Sequence, residues 1–455
     1  YKYIYKMHLN LFYYNKYNYM CGIIGIYNKN NGEVSDLINC LKKLQHRGRD
    51  GFGLIKYSNR TYREYRSEGQ VEMTDVNQKH DLKVGIGHTR YKTSGSETIE
   101  GRLNELQPLK DKIEGGYIYI AHNGNIPKVN GHDTSYLLNY ITNKKGYCLE
   151  DILIDIMNMI PGSYSLIILH RGTLYAMRDR YGVRPLCIGE NEKGIYLSSE
   201  SVGLPENSYM RDVKAGEIIK INSAGIQNIY NHRITYNGLC LFEIIYFLNE
   251  ESWCDGINIK RTRAYLGEKL AEKENYKFNE EENVVIGIPN SGITSGRGYA
   301  NKLGLPYMQY ISKNKDAGRT FILMDNESRV KACKKKFAYN VDGLRGKKVI
   351  LVDDSIVRGN VMKSLVDNLK DCGVLEIHVR IPSPPVIDIC ELGIAIHKKE
   401  ELIMNKKTVE EVKKELGVDS LKYLYINEMG GIIPSDSYSQ CFTGEISDEF
   451  KKWKP

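Results

Sequence analysis

Residues 349–359 read VILVDDSIVRG. Four consecutive apolar residues without polar alternation predict a strand buried on both faces, as in a parallel α/β sheet. Two acids, Asp353 and Asp354, follow at its carboxyl end. A glycine turn comes next, and then a helical stretch to about Cys372. A strand end, an acidic pair and a helix N-terminus together can form a phosphate–ribose site. The helix amides take the phosphate, and the acids hold hydroxyls or a metal. The same residues also fit a plain strand–loop–helix connection with a solvated acidic pair, and on their own they leave that choice open. Upstream, residues 284–292 read VVIGIPNSG, a second buried strand ending in a small-residue loop.

The chain around this unit has 455 residues, too many for one core, so two domains are expected, or three at most. Hydrophobic residues make up 41% and charged residues 26%, which excludes disordered and fibrous classes. No apolar run is long enough for a membrane span. Ten scattered cysteines are too few for a disulfide framework, so a reducing, cytoplasmic setting is expected. Residues 1–19, YKYIYKMHLNLFYYNKYNY, hold seven of the 34 tyrosines and no acid. They lack the pattern of a secretory signal or a transit peptide. Residues 1–20 therefore read as a propeptide or an untranslated leader, and either way Cys21 becomes the mature N-terminus. Without them the formal charge falls from +8 to +5, because three lysines go with them. Nucleic acid is then not needed to explain the excess.

From Cys21 the text becomes CGIIGIY, another buried strand. A thiol on the first residue has its own α-amine as a nearby base. A free cysteine is more often simple packing, and Cys21 alone does not decide. Its neighbours do. In order come LQHRGRDGFG (44–53), GIGHTRYKTSG (85–95), IAHNGNI (120–126), HDTSYLL (132–138), PGSYSLI (161–167) and AMRDRYGVRPLC (176–187). This series resembles the N-terminal-nucleophile glutamine amidotransferase domain, over about residues 21–235. The resemblance implies an αββα sandwich in which Cys21 attacks the glutamine amide carbon. Asn123 and Gly124 would donate to the oxyanion, Arg90 would take the glutamine carboxylate and Asp133 its ammonium. Arg47 and Gly48 would belong to the loop that lines and closes the pocket. Two departures, Arg49 after QHRG and the H-D-T-S spelling around Asp133, remove no catalytic group.

VILVDDSIVRG in turn resembles the phosphoribosyl pyrophosphate signature of type I phosphoribosyltransferases, an α/β fold placed here at 236–400. The two signatures together resemble the amidophosphoribosyltransferase family over about residues 20–445. That implies the first committed step of purine synthesis: glutamine, phosphoribosyl pyrophosphate and water give 5-phosphoribosylamine, glutamate and pyrophosphate. It also implies Mg²⁺, inhibition by purine nucleotides, a homotetramer, and neither nucleic acid nor membrane as partner. By the same resemblance Asp353 and Asp354 bind ribose hydroxyls and Mg²⁺, and Ser291 joins the metal site. Ser355, Arg358, Gly359 and Asn360 hold the 5′-phosphate. Arg319 and Lys336 are lid contacts to pyrophosphate. Ammonia would cross between the sites by an internal channel.

Departures are sharper in this half. RGNVM stands where the family has RGTTS, so Asn360 and Val361 replace hydroxyl donors, and Asp316 puts an acid in the lid. Both changes predict a raised Michaelis constant for phosphoribosyl pyrophosphate. Cys240, Cys390 and Cys441 match three ligands of the [4Fe–4S] cluster that some members carry, but the fourth position is Tyr438. A cluster wants four thiolates, so these are degenerate ligand positions and an intact cluster is not expected. Residues 401–425 read as amphipathic helices, residues 401–455 as a C-terminal helical segment, and 446–455 as a frayed polar tail. Two other readings stay in play. One is a hexosamine-forming amidotransferase, which would lack VILVDDSIVRG. The other is a non-catalytic phosphoribosyl-pyrophosphate-binding regulator, which would leave the Cys21 set unexplained.

Overall fold

The computed structural model describes residues 20–72, 81–90, 99–129, 131–233, 238–313, 337–394, 396 and 398–455. The leader segment 1–19 and the lid residues Asp316, Arg319 and Lys336 lie outside the described residues.

The first half is built from two packed antiparallel sheets. Seven strands form one sheet, with Gly22–Glu33 between Gly194–Ser198 and Asp81–Arg90. Six form the other, with Ser163–His170 between Gly116–Asn125 and Thr173–Arg178. Strand alternation divides the side chains between two environments. In Gly22–Glu33, Ile23 and Tyr27 join the core between the sheets, while Ile24 and Ile26 pack with the helix Val34–Lys43. In Gly116–Asn125, Tyr119 and Ala121 face the inter-sheet core. Ile118 and Ile120 instead meet the helices Asp133–Asn143 and Leu149–Met159. The layers thus run helix, sheet, sheet, helix, as the resemblance implies.

The second half carries a parallel sheet in the order Asn283–Gly287, Lys348–Val352, Glu376–Ile381, Ser420–Tyr423. Its strands are apolar on both faces. Val349 and Leu351 enter one core, and Ile350 and Val352 the other. The second of those cores also takes in Met20, Tyr181, Val183, Cys240, Phe242, Cys390 and Cys441, so it joins the two halves.

Two expectations for the C-terminal region are corrected. Residues 401–425 are not all helix. The helix Val409–Leu416 ends at Gly417, whose φ of 72° closes it in the left-handed conformation. The chain then forms the strand Ser420–Tyr423, which extends the phosphoribosyltransferase-type sheet beyond residue 400. Leu421 and Tyr423 alternate into the core, a period of two hidden inside the three- and four-residue spacing. The tail is not frayed either. It forms the short helix Asp448–Lys452, and Phe450 is 2% exposed against Tyr181, with ring centroids 4.8 Å apart. One buried aromatic ring is enough to dock a polar segment of this length.

Candidate active sites and their connection

Cys21 stands at the mouth of the strand Gly22–Glu33. Its backbone N–H donates to Asn123 Oδ1 at 3.2 Å, which ties the nucleophile strand to the other sheet. The amide Nδ2 of buried Asn123 has no partner among the described residues. A buried donor left unmade costs about 1–3 kcal/mol, which an arriving oxyanion would recover. Gly124 has φ +157°, and a Cβ there would lie 1.9 Å from the Ser163 carbonyl oxygen. No other residue fits so close to the neighbouring strand. Asp133 opens the helix Asp133–Asn143, and its carboxylate accepts the N–H groups of Thr134 at 2.8 Å and Ile126 at 3.4 Å. Burial lowers the pKa of His132, while the charges of Asp133, Arg90 and Glu105 act on the same ring. Arg90 ends its strand with Nη2 3.1 Å from Glu105, and residues 91–98 beyond it are outside the described set.

Arg47, expected in the loop that lines and closes the pocket, is only 1% exposed. Nη2 pairs with Glu243 at 3.0 Å, Nη1 reaches Glu200, and Nε donates to the Cys21 carbonyl at 3.0 Å. Arg184 pairs with the same Glu243 at 3.2 Å, and His46 with Glu200 at 2.8 Å. Glu200 also accepts from Asn249 N–H and Ser252 Oγ–H, both at 2.8 Å. The cations beside it hold its carboxyl well below the usual range against the opposing effect of burial. Gly48 lies against the Arg90 backbone, where a Cβ would be 2.7 Å away. The QHRG turn thus fixes the nucleophile strand, the Arg90 strand end and the second half together.

The second site is a cavity of about 530 Å³. Ser291, Asp353, Asp354, Ser355, Arg358, Gly359 and Asn360 line it, as the sequence placed them. Gly359 takes φ +80° and starts the helix Asn360–Asp371. Asp354 is buried, and it accepts hydrogen bonds from the Ser291 and Ser355 hydroxyls. Burial pushes its carboxyl pKa up against those bonds. Hard oxygen donors of this kind suit Mg²⁺ completed by water and phosphate oxygens. The Arg358 guanidinium is turned to Glu401, at 2.6 Å. The cavity also reaches His46 and Arg49 of the first half, past Phe242 and Tyr246.

Two family models match, the glutamine amidotransferase domain over residues 96–206 and the phosphoribosyl transferase domain over 256–382. The amidophosphoribosyltransferase of Methanocaldococcus jannaschii is 33% identical, over 94% of this chain and 98% of that protein. The chain belongs to the amidophosphoribosyltransferase family. The Bacillus subtilis amidophosphoribosyltransferase is 31% identical, over 95% of each. A solved structure, described as glutamine phosphoribosylpyrophosphate amidotransferase from B. subtilis complexed with ADP and GMP, superposes with a TM-score of 0.81 at 30% identity. It covers 93% of this chain and 97% of its own.

In this member of the amidophosphoribosyltransferase family, the three cysteines matched to cluster ligands lie together among the described residues, with a tyrosine at the fourth position. Cys240, Cys390 and Cys441 are buried in the interdomain core, with Tyr438 packed against it. Burial pushes the Cys240 thiol up to about 12 and the Cys441 thiol well above its ordinary value. The Tyr438 hydroxyl is committed to Gln440. The convergent metal-type donor set found among the described residues is Asp212, Cys254 and Asp255. It lies outside the cavity lining, and Arg178 holds Asp255 bidentately at 2.7 Å, so it is an ion pair between the halves.

Several residues escaped the sequence reading. Glu243 is an acid inside the apolar run LCLFEIIYF, which was a visible signal. Arg263 sits on the buried face of the helix Ile259–Glu272 and donates to the carbonyls of Ile244 at 2.9 Å and Leu248 at 2.8 Å, beside the cavity. Glu200 and Arg184 gave no local signal, because the ion-pair partners Arg47 and Glu243 are more than fifty residues away.

Proposed function

We propose that this chain transfers the amide nitrogen of glutamine to phosphoribosyl pyrophosphate with the residues set out above. The reaction yields 5-phosphoribosylamine, glutamate and pyrophosphate. The observation that carries the reading is the bridge from Cys21 through Arg47 to Glu243, whose neighbour Phe242 lines the phosphate-loop cavity, so a thiol-centred site and that cavity meet in one molecule. Once processing exposes Cys21, its α-amine takes the thiol proton and the sulfur attacks the amide carbon. Asn123 Nδ2 and the Gly124 amide hold the oxyanion. Collapse breaks the C–N bond and releases ammonia, and water then hydrolyses the thioester to glutamate. Asp133 and Arg90 orient the free amino acid.

In the second site Asp353 and Asp354 would hold the ribose hydroxyls and Mg²⁺, with Ser291 beside them. The metal would neutralise the departing pyrophosphate. The helix N-terminus at Asn360 would take the 5′-phosphate. Arg319 and Lys336 would cover the pyrophosphate. Ammonia would cross along the cavity that ends at His46 and Arg49. No step passes through an iron–sulfur cluster. Purine nucleotide inhibition is proposed by likeness to the B. subtilis structure with ADP and GMP. A cytoplasmic homotetramer is proposed too, with the free thiols among the described residues supporting a reducing setting.

Phosphoribosyl pyrophosphate added to the purified protein is expected to accelerate glutamate release and to consume the two substrates one to one. Glutamate release indifferent to it would count against a coupled enzyme and favour a separate glutaminase. The Asn360→Thr, Val361→Thr double variant should lower the Michaelis constant for phosphoribosyl pyrophosphate. One recovered charge-assisted bond at roughly 1.5–3 kcal/mol corresponds to about tenfold or more. An unchanged constant would show that the backbone amides suffice.

A further inference from the structure

The docked tail lies against the glutamine end of the molecule and far in sequence from it. The loop 126–132 joins Gly124, an oxyanion donor, to Asp133, the ammonium partner. Lys128 in that loop takes φ +62° and is exposed. Its ammonium donates to three tail carbonyls, Phe450 at 2.8 Å, Lys451 at 2.7 Å and Trp453 at 3.1 Å. These carbonyls close the helix Asp448–Lys452, where they have no helical partner and where a cation is favoured. Glu449 is gripped by Arg180 and by the Tyr181 hydroxyl. Arg180 also donates to the carbonyls of Met157 at 2.9 Å and Asn158 at 2.7 Å. Phe450 fills the interdomain core beside Tyr181. Trp453 packs on the cluster that holds Ile126 and Val129 of the loop and Leu137 and Leu138 of the Asp133 helix.

We propose that the C-terminal segment Ser447–Trp453 is a latch that positions the glutamine-binding loop. The latch rests on the amidotransferase reading above. It grips, at Lys128 and through the cluster of Ile126 and Val129, the segment that must hold Gly124 and Asp133 in register. Lys128 and Phe450 are positioning residues, and neither touches the reacting atoms. Displacing a substrate contact by about 1 Å costs up to roughly 10²-fold in rate. Losing the Lys128 grip therefore acts on glutamine use, whereas Phe450 also packs in the core that holds Ile350 and Val352 of the second half.

The test uses the full chain, a form lacking 446–455, and the variants Lys128→Ala and Lys128→Arg. Truncation and Lys128→Ala are expected to raise the Michaelis constant for glutamine about tenfold. In Lys128→Ala, synthesis of phosphoribosylamine from added ammonium chloride should stay within about twofold of the parent. Lys128→Arg, which keeps the cation, should restore most of the loss. Amide hydrogen exchange over 124–134 should quicken in Lys128→Ala, while 348–352 stays protected. Unchanged glutamine constants and unchanged exchange in Lys128→Ala would overturn the latch, as would a parallel fall of both activities in that variant. If the parent itself made no product from glutamine, the amidotransferase reading would fail instead. The exchange measurement needs no turnover and would still judge the latch.

Discussion

Cys21→Ala abolishes synthesis of phosphoribosylamine from glutamine and leaves synthesis from added ammonia near the parent rate. The expectation follows from the division of chemistry between two sites. The covalent step is assigned to the Cys21 thiol, so truncation removes that step entirely. Loss of a nucleophile costs at least about 10³-fold in turnover. Ammonia supplied from solution bypasses that step and needs only the cavity around Asp353 and Asp354. Asn123→Ala should be milder, about 10²–10³-fold, because it removes one oxyanion donor and keeps the thiol. Rates with both nitrogen sources, measured on the same preparations, check the set. A Cys21→Ala enzyme that still used glutamine would refute the assignment. Equal loss with ammonia would mean that Cys21 holds the fold together rather than attacking the amide. The mass of the mature N-terminus belongs to the same test, since the α-amine can act as base only when Cys21 comes first.

Local sequence carried the sites that are built from contiguous residues. VILVDDSIVRG is strand, loop and helix start in one stretch, and the structure keeps Asp353, Asp354, Ser355, Gly359 and Asn360 on one cavity wall. AHNGN places Asn123 and Gly124 on one strand end in the same way. Arg47 was visible as a motif residue, but its surroundings were not. Its partners Glu200 and Glu243 come from segments 153 and 196 residues away. No periodicity joins them, and only the packing of the two halves shows the side chain to be buried. The strand Ser420–Tyr423 was missed because four residues of alternation sit at the end of a helical pattern. The tail was missed because composition counts its charges and not the one ring, Phe450, that decides where it goes. Glu243 could have been found. A carboxylate in the middle of an apolar run has to meet a cation, and the buried Arg47 and Arg184 are those cations.

Arg47→Met should be the most damaging single change outside the two sites. The wild-type cluster is balanced, with Arg47 and Arg184 facing Glu200 and Glu243, and all four side chains at most 1% exposed. Removing Arg47 leaves the attraction of Arg184 for Glu243 but leaves Glu200 with His46 at 2.8 Å as its one ion-pair partner among the described residues, beside the Asn249 and Ser252 hydrogen bonds. Breaking one member of a buried ion network costs about 3–5 kcal/mol, because the remaining charge stays desolvated. The Arg47 Nε bond to the Cys21 carbonyl is lost as well, so glutamine use should fall further than ammonia use. Stability is read from the midpoint of thermal unfolding and activity from the two nitrogen sources. The pair Arg47→Met, Glu243→Leu separates charge balance from packing. It should be less destabilised than the sum of its single variants, because the double change removes one charge of each sign. Strict additivity would mean that the guanidinium and the carboxylate do not sense each other and would overturn their pairing at 3.0 Å. Recovery of stability in the pair without recovery of glutamine use would then assign the Cys21 carbonyl bond its own share in holding the nucleophile.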